Sequence, residues 1–180
     1  FRLRDSERPG IEGMIGELRA QRVRHVTLLS GDNQRSVERF AAGLGFDEVL
    51  GDLQPADKLE WIRAHQAQGR KVTMVGDGIN DAPTLAAADA SISFAHATDL
   101  AQVSSGLLLL GGDVRKVAEG RRLAGHVRRI IRQNLIWAAS YNFLAVPIAA
   151  LGMIAPWGAA IGMSLSSLLV VVNALRLRSR

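Results

Sequence analysis

The sequence predicts an α/β fold built on a parallel sheet, followed by a two-helix transmembrane hairpin. Three observations carry this expectation. Short apolar runs alternate with helix-period segments over the first two thirds of the chain, the pattern of a parallel sheet with helices on both faces. Acidic residues fall just beyond the ends of two of those runs, in Ser30-Gly31-Asp32 and Gly76-Asp77-Gly78. From Gln133 to Leu175 there is no Asp, Glu, Lys, Arg or His, well past the roughly 20 residues that one membrane span needs. The expected division is a polar part over 1–125 and a membrane hairpin with its linking helix over 126–180.

Taken in order, Ile11, Met14, Ile15 and Leu18 recur at helical spacing between Gly10 and Arg22. Val26 to Leu29 reads as a buried strand that breaks at Ser30-Gly31-Asp32. A helix from Gln34 to Leu44 stops at Gly45, and a short strand spans Glu48 to Leu50. Pro55 near a first turn, apolar Leu59 and Ile62 behind it, and Gly69 as the stop frame the next helix. "KVTMVGDG" is a further buried strand, "NDAPTLAAAD" opens a helix, and "ASISF" and "GLLLL" are two more strands. A helix from Asp113 to Arg132 leads into apolar helices over Gln133–Leu151 and Trp157–Leu175, turned at "GMIAPWG". Arginines precede the first and follow the second, so by the positive-inside rule both ends are expected in the cytoplasm.

The net charge of +5 raises nucleic acid or an anionic membrane surface as partners, and the apolar hairpin selects the membrane. No nucleic acid is expected. Absence of cysteine excludes disulfides and thiolate metal sites within the chain. The N-terminal "FRLRDSERPG" lacks the apolar core of a signal peptide, and its start on Phe suggests a fragment.

In open parallel sheets reactive groups gather beyond the carboxyl ends of the strands. That brings Asp32, Asp77 and Asp81 to one edge, with Lys58 in reach at the start of its helix. Close carboxylates raise each other's pKa unless a cation lies between them. Singly, each residue has a plainer reading: a turn for Ser30-Gly31-Asp32, a turn and an N-cap for Asp77 and Asp81, a solvated helix lysine for Lys58.

Together, "SGDN" (30–33), "PADK" (55–58) and "GDGINDAP" (76–83) resemble the phosphorylation domain of P-type ATPases, a Rossmann-like fold of the haloacid dehalogenase superfamily. The resemblance implies Mg²⁺ at Asp77, supported by Asp81 through a hydrogen bond or water, a donor set that suits this ion. It implies that Lys58, the Ser30 hydroxyl and the Gly31 amide bind phosphoryl oxygens, that Asp32 orders nucleotide or metal, and that Asn80 hydrogen-bonds within the site. Gly76 and Gly78 would let the backbone turn beside the phosphate. The family's nucleophile lies in a "DKTGT" motif, which does not occur here, and neither does its ATP-binding domain. The chain alone is therefore expected not to hydrolyse ATP. The segment 93–102 lacks the glycines often seen there, though Thr98 and Asp99 are in place, and His96 reads as a surface loop residue.

Within the hairpin, Asn134, Tyr141 and Asn142 on the first helix, and Met163, Ser166 and Ser167 on the second, are polar or polarisable. Such groups in a bilayer face a bundle interior or a substrate path. A thioether among small oxygen ligands without a carboxylate suits Cu(I) better than Zn²⁺. The spacing of Gly158, Gly162 and Ser166 equally describes close helix packing, the reading favoured by the residues alone. "YN" at 141–142 with Pro147, and "MSLSS" at 163–167, resemble the last two helices of copper-transporting P1B-type ATPases. That resemblance implies a copper pathway through Tyr141, Asn142, Met163, Ser166 and Ser167. It further implies ATP as the energy source, Cu(I) as the transported ion, and a multi-pass plasma-membrane location with the polar domain cytoplasmic. Its implied partners are membrane lipid, the remainder of the pump and a copper chaperone. A membrane-tethered phosphatase of the same superfamily, or an inactive truncated remnant, is the alternative.

Overall fold

The computed structural model describes residues 10–76, 81–94, 103–153 and 155–177. The chain separates into two units, 1–119 and 120–180. In the first unit, α1 (Ile11–Ala20) leaves Gly10 and buries Ile15 and Leu18, the stripe its spacing predicts. β1 (Thr27–Leu29) leads to α2 (Gln34–Ala41), whose N-terminus Asn33 caps by accepting the Arg35 amide at 3.2 Å. β2 (Glu48–Leu50), α3 (Pro55–Ala67), β3 (Thr73–Gly76), α4 (Ala82–Ala87), β4 (Ala90–Phe94) and β5 (Leu107–Leu109) follow. α2 ends earlier than the sequence predicts, because Ala42 turns to an extended ψ of 118°.

All strand pairing is parallel, as expected, but among the described residues it forms two sheets rather than one. β1 pairs with β2, and the second sheet has the order β3-β4-β5. Each sheet consists of strands of three to five residues, and no ladder among the described residues joins β1 to β3. β4 is the central strand of its sheet, and Ser91, Ile92, Ser93 and Phe94 are all buried. Its two serines are satisfied: Ser93 Oγ lies 2.8 Å from Ser105 Oγ, and Ser91 Oγ accepts the Gly106 amide at 3.0 Å. Leu85 of α4, 1 % exposed, packs with Met74 of β3. Ile62 of α3 is fully buried.

Asp89, between α4 and β4, ties the other end of this sheet. It accepts from Lys71 Nζ at 2.7 Å, the Val72 amide at 3.0 Å and Gln66 Nε2 at 3.1 Å. Those donors, the Lys71 ammonium foremost, lower its pKa to about 2.

α5 (Arg115–Ala150) carries the linking helix into the first apolar helix without interruption, with Pro147 inside it. α6 (Pro156–Leu175) follows. Within the second unit these helices are joined by side chains. Asn173 Nδ2 donates to Asn134 Oδ1 at 2.8 Å and to Gln133 Oε1 at 3.4 Å, and Asn134 Nδ2 donates to the Val170 carbonyl at 3.4 Å. Among the described residues one helix, Trp157–Leu175 with a mean hydropathy of 1.8, is long and apolar enough to cross a membrane. The apolar half of α5 is diluted by Gln133, Asn134, Tyr141 and Asn142.

Candidate functional site

The site begins at the carboxyl end of β1. Ser30 continues the ladder by donating its amide to the Leu50 carbonyl at 2.9 Å, and its own carbonyl accepts the Leu53 amide at 3.1 Å. The Ser30 hydroxyl donates to Asp32 Oδ2 at 2.9 Å and accepts the Asp32 amide at 3.1 Å. The loop after β2 fixes this turn from the other side. Asp52 donates its amide to the Asp32 carbonyl at 2.7 Å and accepts the Gln34 amide on its carboxylate at 3.0 Å. Gly51 donates to Gln34 Oε1. A Cβ at Gly51 would lie 2.5 Å from Gln34 Cα and 2.9 Å from the Asp32 carbonyl oxygen, so only glycine permits the two loops to close.

The same β2 loop runs directly into α3. Gln54 and Asp57 form a reciprocal capping box, with Asp57 Oδ2 accepting the Gln54 amide at 2.8 Å. Pro55 takes the first helical position, where its missing N–H costs nothing. This start places Lys58 in the next turn, and its Nζ donates to Asp81 Oδ1 at 2.9 Å. The two side chains are only 12 % and 16 % exposed. Asp81 stands at the N-cap position of α4 but makes no side-chain cap; its carbonyl accepts Thr84 Oγ1 at 2.7 Å instead. The plain capping reading of Asp81 is thereby replaced by an ion pair. Gly76, the last residue of β3, faces that carboxylate, and a Cβ there would sit 3.1 Å from Asp81 Oδ2.

Of the residues that the sequence singled out, Ser30 and Asp32 thus form one pair and Lys58 and Asp81 another. No hydrogen bond among the described residues links the two pairs directly. Asp77 and Asn80, with Gly78, and the segment containing His96, Thr98 and Asp99 lie outside the described residues. Gly31 is exposed, in the turn itself. Sequence reasoning missed Gln34, Gly51 and Asp52, the residues that hold that turn. The available signal was Gly-Asp directly after a strand; Asp52 has φ 54°, a conformation that Asp tolerates better than most residues.

The hairpin residues divide between two faces. Tyr141 packs on α6 at Gly162, where an added Cβ would lie 2.6 Å from its hydroxyl. Ser166, four residues on, is 9 % exposed and shares that packed face. Met163 is 64 % exposed and Ser167 is also exposed. The Asn142 amide donates to the Ala138 carbonyl of its own helix at 3.0 Å. The structure therefore brings Tyr141 and Ser166 to the helix seam and leaves Asn142, Met163 and Ser167 exposed on the hairpin. Asn173, which the sequence reading did not single out, supplies the clearest polar contact between the two helices.

Residues 1–89 match the family model described as a haloacid dehalogenase-like hydrolase. A copper-exporting P-type ATPase of Staphylococcus aureus (strain bovine RF122 / ET3-1) is 45 % identical over 153 residues, which is 85 % of this chain and 19 % of that protein. A zinc-transporting P1B-type ATPase in its E2.Pi state superposes with a TM-score of 0.89 at 34 % identity, covering 97 % of this chain and 28 % of that one. The catalytic domain of the CPx-ATPase CopB-B aligns over 66 % of this chain and 47 % of its own, at 29 % identity and a TM-score of 0.62. The chain thus spans about a fifth of the length of the curated relatives it matches. With its parallel strands, its Lys58–Asp81 pair and its apolar C-terminal helix, the chain is homologous to the copper-exporting P-type ATPases, and corresponds to a haloacid dehalogenase-type phosphorylation domain and the C-terminal region of a P1B-type ATPase.

Proposed function

We propose that this chain supplies the phosphate-handling part of an ATP-driven Cu(I) pump together with its last membrane hairpin. The observation that carries the reading is the sequestered Lys58–Asp81 pair beyond the carboxyl end of β3, 2.9 Å apart. A lysine so placed is a fixed positive charge at the sheet edge where anionic ligands bind in this architecture. Phosphoryl transfer depends chiefly on positioning and charge neutralisation, and Lys58 with the Gly31 amide, joined by the Ser30 hydroxyl once it turns from Asp32, would provide both. Asp81 holds the ammonium in place and turns a second oxygen toward Gly76. Asp81 is an oxygen donor at this edge, and together with Asp77, which the motif implies beside it, would make an all-oxygen set that fits Mg²⁺ completed by water and phosphate oxygens. When bound, Mg²⁺ would neutralise charge developing on the phosphoryl group. The phosphorylated aspartate would come from polypeptide outside this sequence, which contains no "DKTGT".

For the transported ion, the residues favour Cu(I) over Zn²⁺. From Gly120 onward there is no carboxylate and no cysteine, and a divalent ion in a membrane calls for compensating negative charge. Met163 offers a soft donor on the exposed side of α6, with Ser167 one turn away. Tyr141, Asn142 and Ser166 would orient or complete that path. In this reading the hairpin spans the plasma membrane twice, with both ends and the polar domain in the cytoplasm, and a copper chaperone delivers the ion.

The test is copper-stimulated ATPase activity of the complete pump that contains this chain. Met163→Ala should lower activation by Cu(I) at least tenfold and confer no activation by Zn²⁺. Asp77→Asn should raise the Mg²⁺ concentration needed for half activity. Unchanged copper activation and unchanged Mg²⁺ dependence in these variants would reject the assignments.

A further inference from the structure

The charge of the chain is divided very unequally. Eight of the 22 basic residues and none of the 17 acidic ones lie after Gly120, so this stretch carries +8 and the rest −3. Five of the eight are Arg121, Arg122, Arg128, Arg129 and Arg132 on α5. At about 100° per residue they fall on a single face of the helix roughly 120° wide. All five are exposed, and none forms an ion pair with a described residue. Ile130, on the other side of the helix, is 2 % exposed. Directly after this face the surface becomes apolar: Leu135, Ile136 and Trp137 are 69 %, 55 % and 47 % exposed.

We propose that the arginine face of α5 is a docking surface for the phosphate headgroups of anionic phospholipids. One feature favours lipid over another polyanion, the apolar surface beside the face; the others favour a phosphate-bearing anion. On the arginine face the next residues after Arg132 are Leu135 and Ile136, about one turn on and both exposed, so bound phosphates would lie at the depth where a headgroup meets the acyl region. Arg128, Arg129 and Arg132 sit within the last turns before that surface and can each offer paired N–H donors to a phosphate. Arg121 and Arg122 lie roughly 10–16 Å further along the helix, beyond the Debye length of about 8–10 Å at physiological salt, so they add attraction chiefly at low ionic strength. The same unit has no acidic side chain to pair with these five arginines. Basic residues at such a boundary attract anionic lipid, each worth about fivefold in affinity. This inference rests on the membrane reading of the hairpin and adds to it a preference for one class of lipid.

The experiment uses the full chain reconstituted in phosphatidylcholine nanodiscs containing about one fifth brominated lipid, either phosphatidylglycerol or phosphatidylcholine. Trp137 lies five residues beyond Arg132, and Trp157 starts the second helix at the opposite end of the hairpin. Each is observed in turn by replacing the other with Phe, while Trp61 is a constant background. Brominated phosphatidylglycerol should quench Trp137 more strongly than brominated phosphatidylcholine, and Trp157 should show no such preference. Arg128→Gln with Arg129→Gln and Arg132→Gln should abolish the preference while both lipids still quench. Equal quenching of Trp137 by the two lipids, or a preference that survives the triple substitution, would overturn the proposal. A preference lost in the complete pump would also overturn it, by giving the face to the pump's own polypeptide. Absence of quenching by either lipid would instead reject the membrane reading itself.

Discussion

Lys58 and Asp81 are 23 positions apart in sequence, yet each is the other's partner. Strand ends made it legible that both lie at one edge; the directions of their side chains were not legible. Periodicity fixes which face a residue lies on, whereas the pairing depends on how α3 is started by Gln54 and Asp57. The pair is mostly shielded, so removing one partner leaves the other poorly solvated. Lys58→Met should lower the stability of the full chain by about 2 kcal/mol, less than the loss of a fully buried pair. Urea denaturation read at Trp61, on the same helix, measures this, and an unchanged midpoint would show that water already screens the pair. Asp89 offers a second residue-scale test. Its folded pKa of about 2 lies below the ordinary 3.8. Its stabilising contribution is therefore complete above about pH 4 and lost as pH falls through 2. Asp89→Asn should flatten the acid dependence of the unfolding midpoint in that window; an identical pH profile in both proteins would count against it.

At the scale of elements, the order of strands and helices was readable because short apolar runs and helix-period segments alternate cleanly. Ends were less readable where propensity competes with turns, as at Ala42. The division into two sheets was not legible at all, since strand order and pairing partners depend on contacts distant in sequence. The hairpin shows the same limit. Its small-residue seam at Gly162 and Ser166 was visible as spacing, but Asn173 looked like one polar residue in an apolar run. Its amide instead joins Asn134 and Gln133 across the helices. Asn173→Leu should weaken the association of the two helices by about 1 kcal/mol, within the range of interhelical hydrogen bonds in membranes. Disulfide trapping between cysteines introduced on the facing sides of α5 and α6 in the full chain reports it. Trapping as fast as in the parent would deny Asn173 a clasping role.

For the whole molecule, the unequal distribution of charge and hydropathy separates a polar α/β unit from a basic, apolar helical unit. The motifs of the polar unit were readable as polar residue types at strand ends and helix starts, where Ser30, Asp32, Lys58 and Asp81 stand. Within the hairpin the polar and polarisable residues were visible in sequence, while the structure assigns Tyr141 and Ser166 to a packed seam and leaves Met163 and Ser167 exposed. Whether Lys58 serves phosphoryl transfer is read from acid-stable phosphoenzyme formed from labelled ATP by the complete pump carrying Lys58→Ala. A phosphoenzyme level at least tenfold below the parent, at equal expression and with copper present, is the result expected if Lys58 balances charge on the phosphoryl group. Parental levels of phosphoenzyme in that variant would show that Lys58 plays no part in phosphoryl transfer.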